Sequence, residues 1–339
     1  MNDSSAAFVI AEAGVNHNGS LEMALELVDA AKRCGADAVK FQTFKAEALV
    51  TRQAAKAAYQ RASTSDSDSQ YAMLKSLELA EDDFVRIHAH CRQQGIEFLS
   101  SAFDMASADF LDGLGMSLFK IPSGEITNWP LLACIGGFGK PVILSTGMCH
   151  LADVEAALHR LEAAGAGEVT VLHCVTEYPA PYAQINLSAM HTLAEAFGVK
   201  VGYSDHTAGI EIPIAAVALG ATVIEKHFTL DTRLPGPDHA ASLAPDEFRH
   251  MVTAIRHVES ARGDGRKRPA PCEWPNLGVV RKSITAQCAI AEGEIITLEH
   301  LALKRPGSGL SPCLLDTVIG RRAARTIAVD ELLDWEDLS

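Results

Sequence analysis

The 339-residue sequence predicts a (β/α)8 barrel followed by a small C-terminal domain. Three observations point there. Eight short β-rich runs alternate with alanine-rich, helix-compatible segments, a pattern that calls for parallel strands joined by crossover helices. Charged residues in several of these runs fall on one parity, and the composition changes abruptly after residue 261. Strands are expected at 8–13, 37–42, 96–100, 117–121, 141–145, 169–174, 199–202 and 222–227, with helices at 21–33, 82–94, 153–164 and 245–261 among the segments between and after them. An open doubly wound sheet would alternate similarly, but Gly14-Val15-Asn16-His17-Asn18-Gly19 does not fit the G-x-G-x-x-G turn usual after its first strand.

Between the second strand and its helix, residues 45–70 form an insertion rich in Ala, Ser, Asp and Gln, which reads either as a lid over the barrel mouth or as a surface loop. The barrel is expected over 1–262, a polar, turn-rich linker over 263–282, and a second unit over 283–339 that is short for an independent core.

Composition narrows the function. With 29 Lys and Arg against 43 Asp and Glu, the formal charge is −14, so no broad basic face is available for nucleic acid. An anionic substrate must then be met by a few local cations or a metal. No apolar run approaches the roughly 20 residues that span a bilayer, and the N-terminus lacks a signal-peptide pattern. A cytoplasmic enzyme with no membrane partner is expected. The eight cysteines form no C-x-x-C pair and read as reduced, mostly buried thiols.

Side chains alternate faces along a strand. Lys40 and Gln42 therefore share one face of the second strand, Lys120 stands apart from Phe119 and Ile121 on the fourth, and Glu225 shares a face with His227 on the eighth. Glu12 and Ser145 lie near the C-terminal ends of the first and fifth strands, at the mouth where barrel enzymes gather catalytic groups. A single lysine there is usually a solvated rim residue. Lys40, Lys120, Ser101, Ser123 and Ser145 together offer two ammonium groups and three hydroxyls suited to phosphate and carboxylate. His206 and His227 follow adjacent strands and can either share a metal or each be hydrogen-bonded in the core; spacing leaves both readings open. His88 and His90 read as structural or surface residues, and Cys174 as the end of a buried strand.

The runs 11–19 (AEAGVNHNG), 39–43 (VKFQT), 119–125 (FKIPSGE), 144–148 (LSTGM), 202–207 (GYSDHT) and 235–238 (PGPD) resemble the sialic acid synthase family, and 291–294 (AEGE) with 304–309 (KRPGSG) resembles the antifreeze-like (SAF) domain that follows its barrel. The resemblance spans nearly the whole chain. It implies condensation of phosphoenolpyruvate with an N-acetylated amino sugar to give a nine-carbon 2-keto acid and phosphate, with a divalent cation, Mn2+ or Mg2+, as cofactor. Carried over by position, Lys40, Ser101, Lys120, Ser123, Ser145 and Ser204 would hold phosphoenolpyruvate, and His206 and His227 the metal. Gln42, Thr176, Tyr178 and Asp238 would surround the sugar, with Glu125 beside them. Glu12 and Glu125 are the carboxylates implied for proton transfer. Ser101 replaces a threonine of some members and keeps the hydroxyl. Arg305 in the small domain would reach the partner subunit's sugar site, which implies a domain-swapped homodimer.

Thr176-Glu177, 56–60 (KAAYQ) and 69–71 (SQY) look more like the bacterial legionaminic acid synthases of this family, which favours 2,4-diacetamido-2,4,6-trideoxymannose as the sugar. N-acetylmannosamine, or the altrose isomer leading to pseudaminate, are the alternatives. A non-catalytic sugar- or anion-binding protein and an aldol synthase for a phosphorylated aldose are the rival readings.

Overall fold

The computed structural model describes residues 6–56 and 69–339. The chain divides into two compact units, Met1–Asp264 and Gly265–Ser339.

In the first unit, β1 (Phe8–Gly14), β2 (Ala38–Thr43), β3 (Glu97–Ala102), β4 (Phe119–Ile121), β5 (Val142–Ser145), β6 (Val169–Cys174), β7 (Lys200–Asp205) and β8 (Val223–His227) form one parallel sheet. The order is β3-β2-β1-β8-β7-β6-β5-β4, and the end strands β3 and β4 pack against each other, so the sheet is a near-closed barrel. All eight expected strands are present. The largest difference is β7, which continues past Gly202 to Asp205. Gly202 allows that strand to pack, because a Cβ there would run into the carbonyl of Val223 and the Leu172 side chain.

The helices cover the barrel through apolar faces. In α1 (Leu21–Arg33), Leu21, Ala24, Leu27, Val28 and Ala31 recur at helical spacing and are buried, and the Ser20 hydroxyl caps the helix by accepting from the amide of Met23 at 3.2 Å. The 45–70 insertion opens with α2 (Ala46–Leu49) and leads into α3 (Gln70–Leu77). Its middle, including four of the five residues of the 56–60 run, lies outside the described residues. The circuit continues with α4 (Glu81–Gln94), α5 (Met105–Gly113), α6 (Trp129–Gly137), α7 (Leu151–Ala164), α8 (Ala189–Phe197), α9 (Glu211–Ala218) and α10 (Pro245–Arg262). His90 on α4 bonds Asp29 at 2.6 Å and His88 lies edge-on to Phe98, so both are structural.

Within the second unit, 263–282 holds α11 (Trp274–Val280), and β9 (Ser283–Ala286) pairs antiparallel with β10 (Leu301–Lys304). Isolated bridges such as Ile290 to Ile327 and Ala323 to Leu338 complete a loop-rich unit around Ile284, Ile290, Ile296, Val318 and Leu333. The cysteines correct one expectation. All eight are free, but only Cys34, Cys91 and Cys174 are buried, while Cys272, Cys288 and Cys313 are exposed.

Candidate active site

Register puts the charged residues on one face. Glu12 lies opposite Lys40 across β1 and β2, Ser101 opposite Gln42 across β2 and β3, and Ser204 opposite Glu225 across β7 and β8. All six face the barrel interior near its C-terminal mouth, as a two-residue period requires.

At the base of the site four charged side chains interlock. Lys40 Nζ sits 2.5 Å from Glu12, 3.8 Å from Glu225 and 3.3 Å from the Ser101 hydroxyl. Lys120 Nζ sits 3.3 Å from Glu225, which also accepts a hydrogen bond from Ser204 at 3.0 Å. Lys40 and Lys120 are only 3% and 2% exposed, so removal from water opposes the charge on both. For Lys40 the carboxylates of Glu12 and Glu225 outweigh burial and hold its pKa above the ordinary range, whereas for Lys120 burial prevails and lowers it. Glu225 is buried too, but the two lysines pull its pKa down to about 2; Glu12, where burial prevails over the attraction of Lys40, is raised.

Above this base lies a cavity of about 190 Å³. Glu12, Lys40, Gln42, Ser101, Lys120, Ser123, Ser145, Thr176, Tyr178, Ser204, His206, His227 and Asp238 all line it. Glu125 does not; its carboxylate accepts from Asn128 at 2.7 Å and is half-buried. Arg305 is exposed in the second unit, directly after β10. The Ser145 hydroxyl is buried with no hydrogen-bond partner, an orphan acceptor and donor on the cavity wall. Ser123 accepts from the amide of Gly147 at 2.8 Å and lies 3.1 Å from Cys174 Sγ. A Cβ on Gly147 would overlap the Thr176 hydroxyl, so glycine there lets three loops meet.

The two imidazoles come together, with ring centroids 5.4 Å apart, and the Tyr178 ring lies tilted 4.3 Å from His206 and edge-on to His227. His206 Nδ1 donates to the carbonyl of Val175 at 2.7 Å, because a carbonyl can only accept, and this leaves Nε2 with its lone pair. His227 Nδ1 is buried without a hydrogen-bond partner. Burial lowers both pKa values and so favours the neutral rings, the form in which imidazole binds a metal. The donor set fits a divalent ion held by two protein nitrogens with positions left for other oxygens; no group of three or more His, Cys, Asp or Glu suited to a metal occurs among the described residues.

Glu225 is the functional residue that sequence reasoning overlooked, although its parity with His227 placed it in the interior. The cavity also has an apolar wall of Val15, Met73, Leu74, Leu77 and Phe103, three of them from α3.

Asp238 gives a test of this electrostatic layout. Burial, reinforced by Glu12, pushes its carboxyl up to about 7 from an ordinary 3.8. The folded state therefore holds a proton that the unfolded chain has released, and this contribution to stability falls as pH rises from about 4 to about 7. Asp238→Asn is expected to flatten that dependence, so that in denaturant titrations the variant gains on the parent protein from pH 5 to pH 7.5. A constant difference between the two would place Asp238 in water.

Fold and site together define a barrel with two buried lysines and a pair of adjacent imidazoles around one cavity at its C-terminal mouth. The NeuB family model matches residues 27–267 and the SAF domain model residues 281–339. The chain belongs to the NeuB family and carries a C-terminal SAF domain. It is 47% identical to the N,N'-diacetyllegionaminic acid synthase of Legionella pneumophila, over 99% of this chain and 95% of that protein. To the enzyme of the same name from Campylobacter jejuni it is 48% identical, over 96% and 98%. The crystal structure of the N-acetylneuraminic acid (sialic acid) synthetase of Leptospira borgpetersenii, in complex with citrate, superposes with a TM-score of 0.72 at 33% identity, covering 81% of this chain and 91% of that one.

Proposed function

We propose that the protein condenses phosphoenolpyruvate with 2,4-diacetamido-2,4,6-trideoxymannose to give N,N'-diacetyllegionaminate and phosphate. The observation that carries the reading is the buried Lys40–Glu225–Lys120 set under a cavity edged by Ser101, Ser145, His206 and His227, in a chain 47–48% identical to two synthases of that name. Cytoplasmic residence fits the supply of phosphoenolpyruvate and eight unpaired thiols.

His206 and His227 would hold a divalent cation, Mn2+ or Mg2+, and such an ion supplies Lewis acidity toward an aldehyde oxygen. The chain's own groups do the rest. Lys40, Lys120 and the hydroxyls of Ser101, Ser123, Ser145 and Ser204 hold the phosphate and carboxylate, fixing C3 of phosphoenolpyruvate toward the sugar aldehyde. Gln42, Thr176, Tyr178 and Asp238 orient the open-chain sugar. Glu12, which lines the cavity with a raised pKa, is the proton carrier we assign; Glu125 stands outside the cavity lining and supports Asn128. After the new C–C bond leaves C2 electron-poor and water adds there, Lys40 and Lys120 stabilise the charge growing on phosphate as the C2–O bond breaks. A bound trianion also restores the charge on Lys120 that burial weakens.

Phosphate release from phosphoenolpyruvate, measured against a panel of amino sugars with and without Mn2+, tests this. The trideoxy sugar is expected to give the highest kcat/KM. Preference for N-acetylmannosamine would move the assignment to an N-acetylneuraminate synthase, preference for the altrose isomer to pseudaminate synthase, and no release from folded, metal-loaded protein with any sugar would favour a binding protein.

The second unit supports a domain-swapped homodimer, since its core is small and Arg305 is exposed on it. Arg305→Ala is expected to weaken sugar binding by about 2–5 kcal/mol through loss of a desolvated contact. Mixing Arg305→Ala with His206→Ala subunits should restore part of the activity through hybrids. No recovery after verified subunit exchange would rule out action in trans.

A further inference from the structure

The polar groups described above ring the cavity, from Glu12, Gln42 and Ser101 on β1–β3 to Ser204 and His227 on β7 and β8. One stretch of its wall is different. Val15 from the loop after β1, Met73, Leu74 and Leu77 from α3, and Phe103 after β3 face the same cavity with no side-chain donor or acceptor among them. Val15, Met73 and Leu77 are buried; Leu74 and Phe103 are half-buried.

This wall is fixed by its packing. Phe44 and Phe103 meet edge-to-face at 6.2 Å beneath it. The carbonyl of Ser76 lies 2.6 Å from where a Cβ on Gly19 would sit, and Gly19 has a φ of +74°, so only glycine lets α3 approach the β1–α1 loop this closely. Lys75 pairs with Glu47 and Glu78, each at 2.9 Å, and Glu78 accepts from the amide of Ala46 at 2.6 Å, tying α3 to α2.

Under the function proposed above, the reacting carbon of the sugar lies by His206 after β7 and His227 at the end of β8, and the wall on the loops after β1, β2 and β3 lines the same cavity, within reach of the far end of the open chain. We propose that Leu74, with Met73, Leu77, Val15 and Phe103, is a specificity surface that receives the C6 methyl end of a 6-deoxy sugar and excludes sugars carrying a C6 hydroxyl. A hydroxyl pressed against this wall leaves water without a replacement partner, whereas a methyl group loses nothing and gains contact. The inference rests on the function proposed above and adds the residues that enforce its choice of sugar.

The test uses full-length, Mn2+-loaded protein and two substrates, 2,4-diacetamido-2,4,6-trideoxymannose and its 6-hydroxy counterpart. The parent protein is expected to prefer the deoxy sugar by about 10- to 100-fold in kcat/KM, the range an apolar pocket achieves against an added hydroxyl. Leu74→Asn should narrow the preference to about threefold or less, chiefly through KM for the sugars, while KM for phosphoenolpyruvate stays the same. Leu74→Met, which keeps volume and polarity, should retain the preference. An absent preference in the parent protein, or one unchanged in a folded Leu74→Asn, overturns the wall while leaving the synthase reading intact. Turnover of neither sugar overturns both.

Discussion

Glu225→Ala is expected to cost the barrel about 3–5 kcal/mol and to reduce phosphate release to background. The reason lies in burial. Lys120 Nζ has Glu225 as its ion partner at 3.3 Å and is 2% exposed, so truncation strands an ammonium group away from water; Lys40 loses the more distant of its two carboxylates, at 3.8 Å. Glu225→Gln keeps a side chain able to accept from Ser204 but carries no charge, and should fall between the two in stability. Because the variants expose two under-compensated cations to the cavity, added inorganic phosphate should raise their midpoint of unfolding more than that of the parent protein. Chemical denaturation with and without phosphate reads this out. An unchanged midpoint in Glu225→Ala would mean that the lysines are solvated and the ion set is not what holds the substrate.

Lys120→Ala is expected to lower kcat/KM for phosphoenolpyruvate by about 10²–10³-fold, the loss typical of removing one group aimed at developing charge. The KM for the sugar should change little, since the residues proposed to orient the sugar belong to other strands and loops. Lys120→Arg should not recover the activity, because a planar guanidinium cannot occupy the space of a point charge packed against Glu225. Steady-state kinetics with each substrate varied separately decides it. A loss confined to sugar KM would place the phosphate elsewhere.

Much of this site could be read before the fold was known. Strand parity alone turned Lys40, Lys120, Glu12, Glu225 and His227 inward, because an inward charge repeated on neighbouring strands survives errors of a residue or two in strand ends. Three things escaped that reasoning for physical reasons. Strand β7 extends to Asp205 because the Asp205 carboxylate pairs with Lys226 at 2.5 Å, both fully buried, an interaction between adjacent strands that local sequence does not display. The strand runs through Gly202 despite glycine's low strand propensity, because close packing on Val223 leaves no room for a side chain there. The apolar wall was hidden as well. Met73, Leu74 and Leu77 lie just past the 45–70 insertion, and they face the cavity because α3 docks on Gly19 and the Phe44–Phe103 pair. The role of Glu225 was missed because a carboxylate beside two lysines at an anion site looks redundant. Burial makes it necessary, since two ammonium groups that close could not otherwise leave water together.

In the proposed reaction Lys40 and Lys120 receive phosphate as the C2–O bond of phosphoenolpyruvate breaks. Phosphoenolpyruvate labelled with ¹⁸O at the bridging oxygen tests it most directly, with mass spectrometry of both products after reaction with the amino sugar. The label is predicted to leave in the phosphate, with an unlabelled C2 ketone in the nine-carbon acid. Label retained in the ketone would mean P–O cleavage and would contradict the role given to the two lysines.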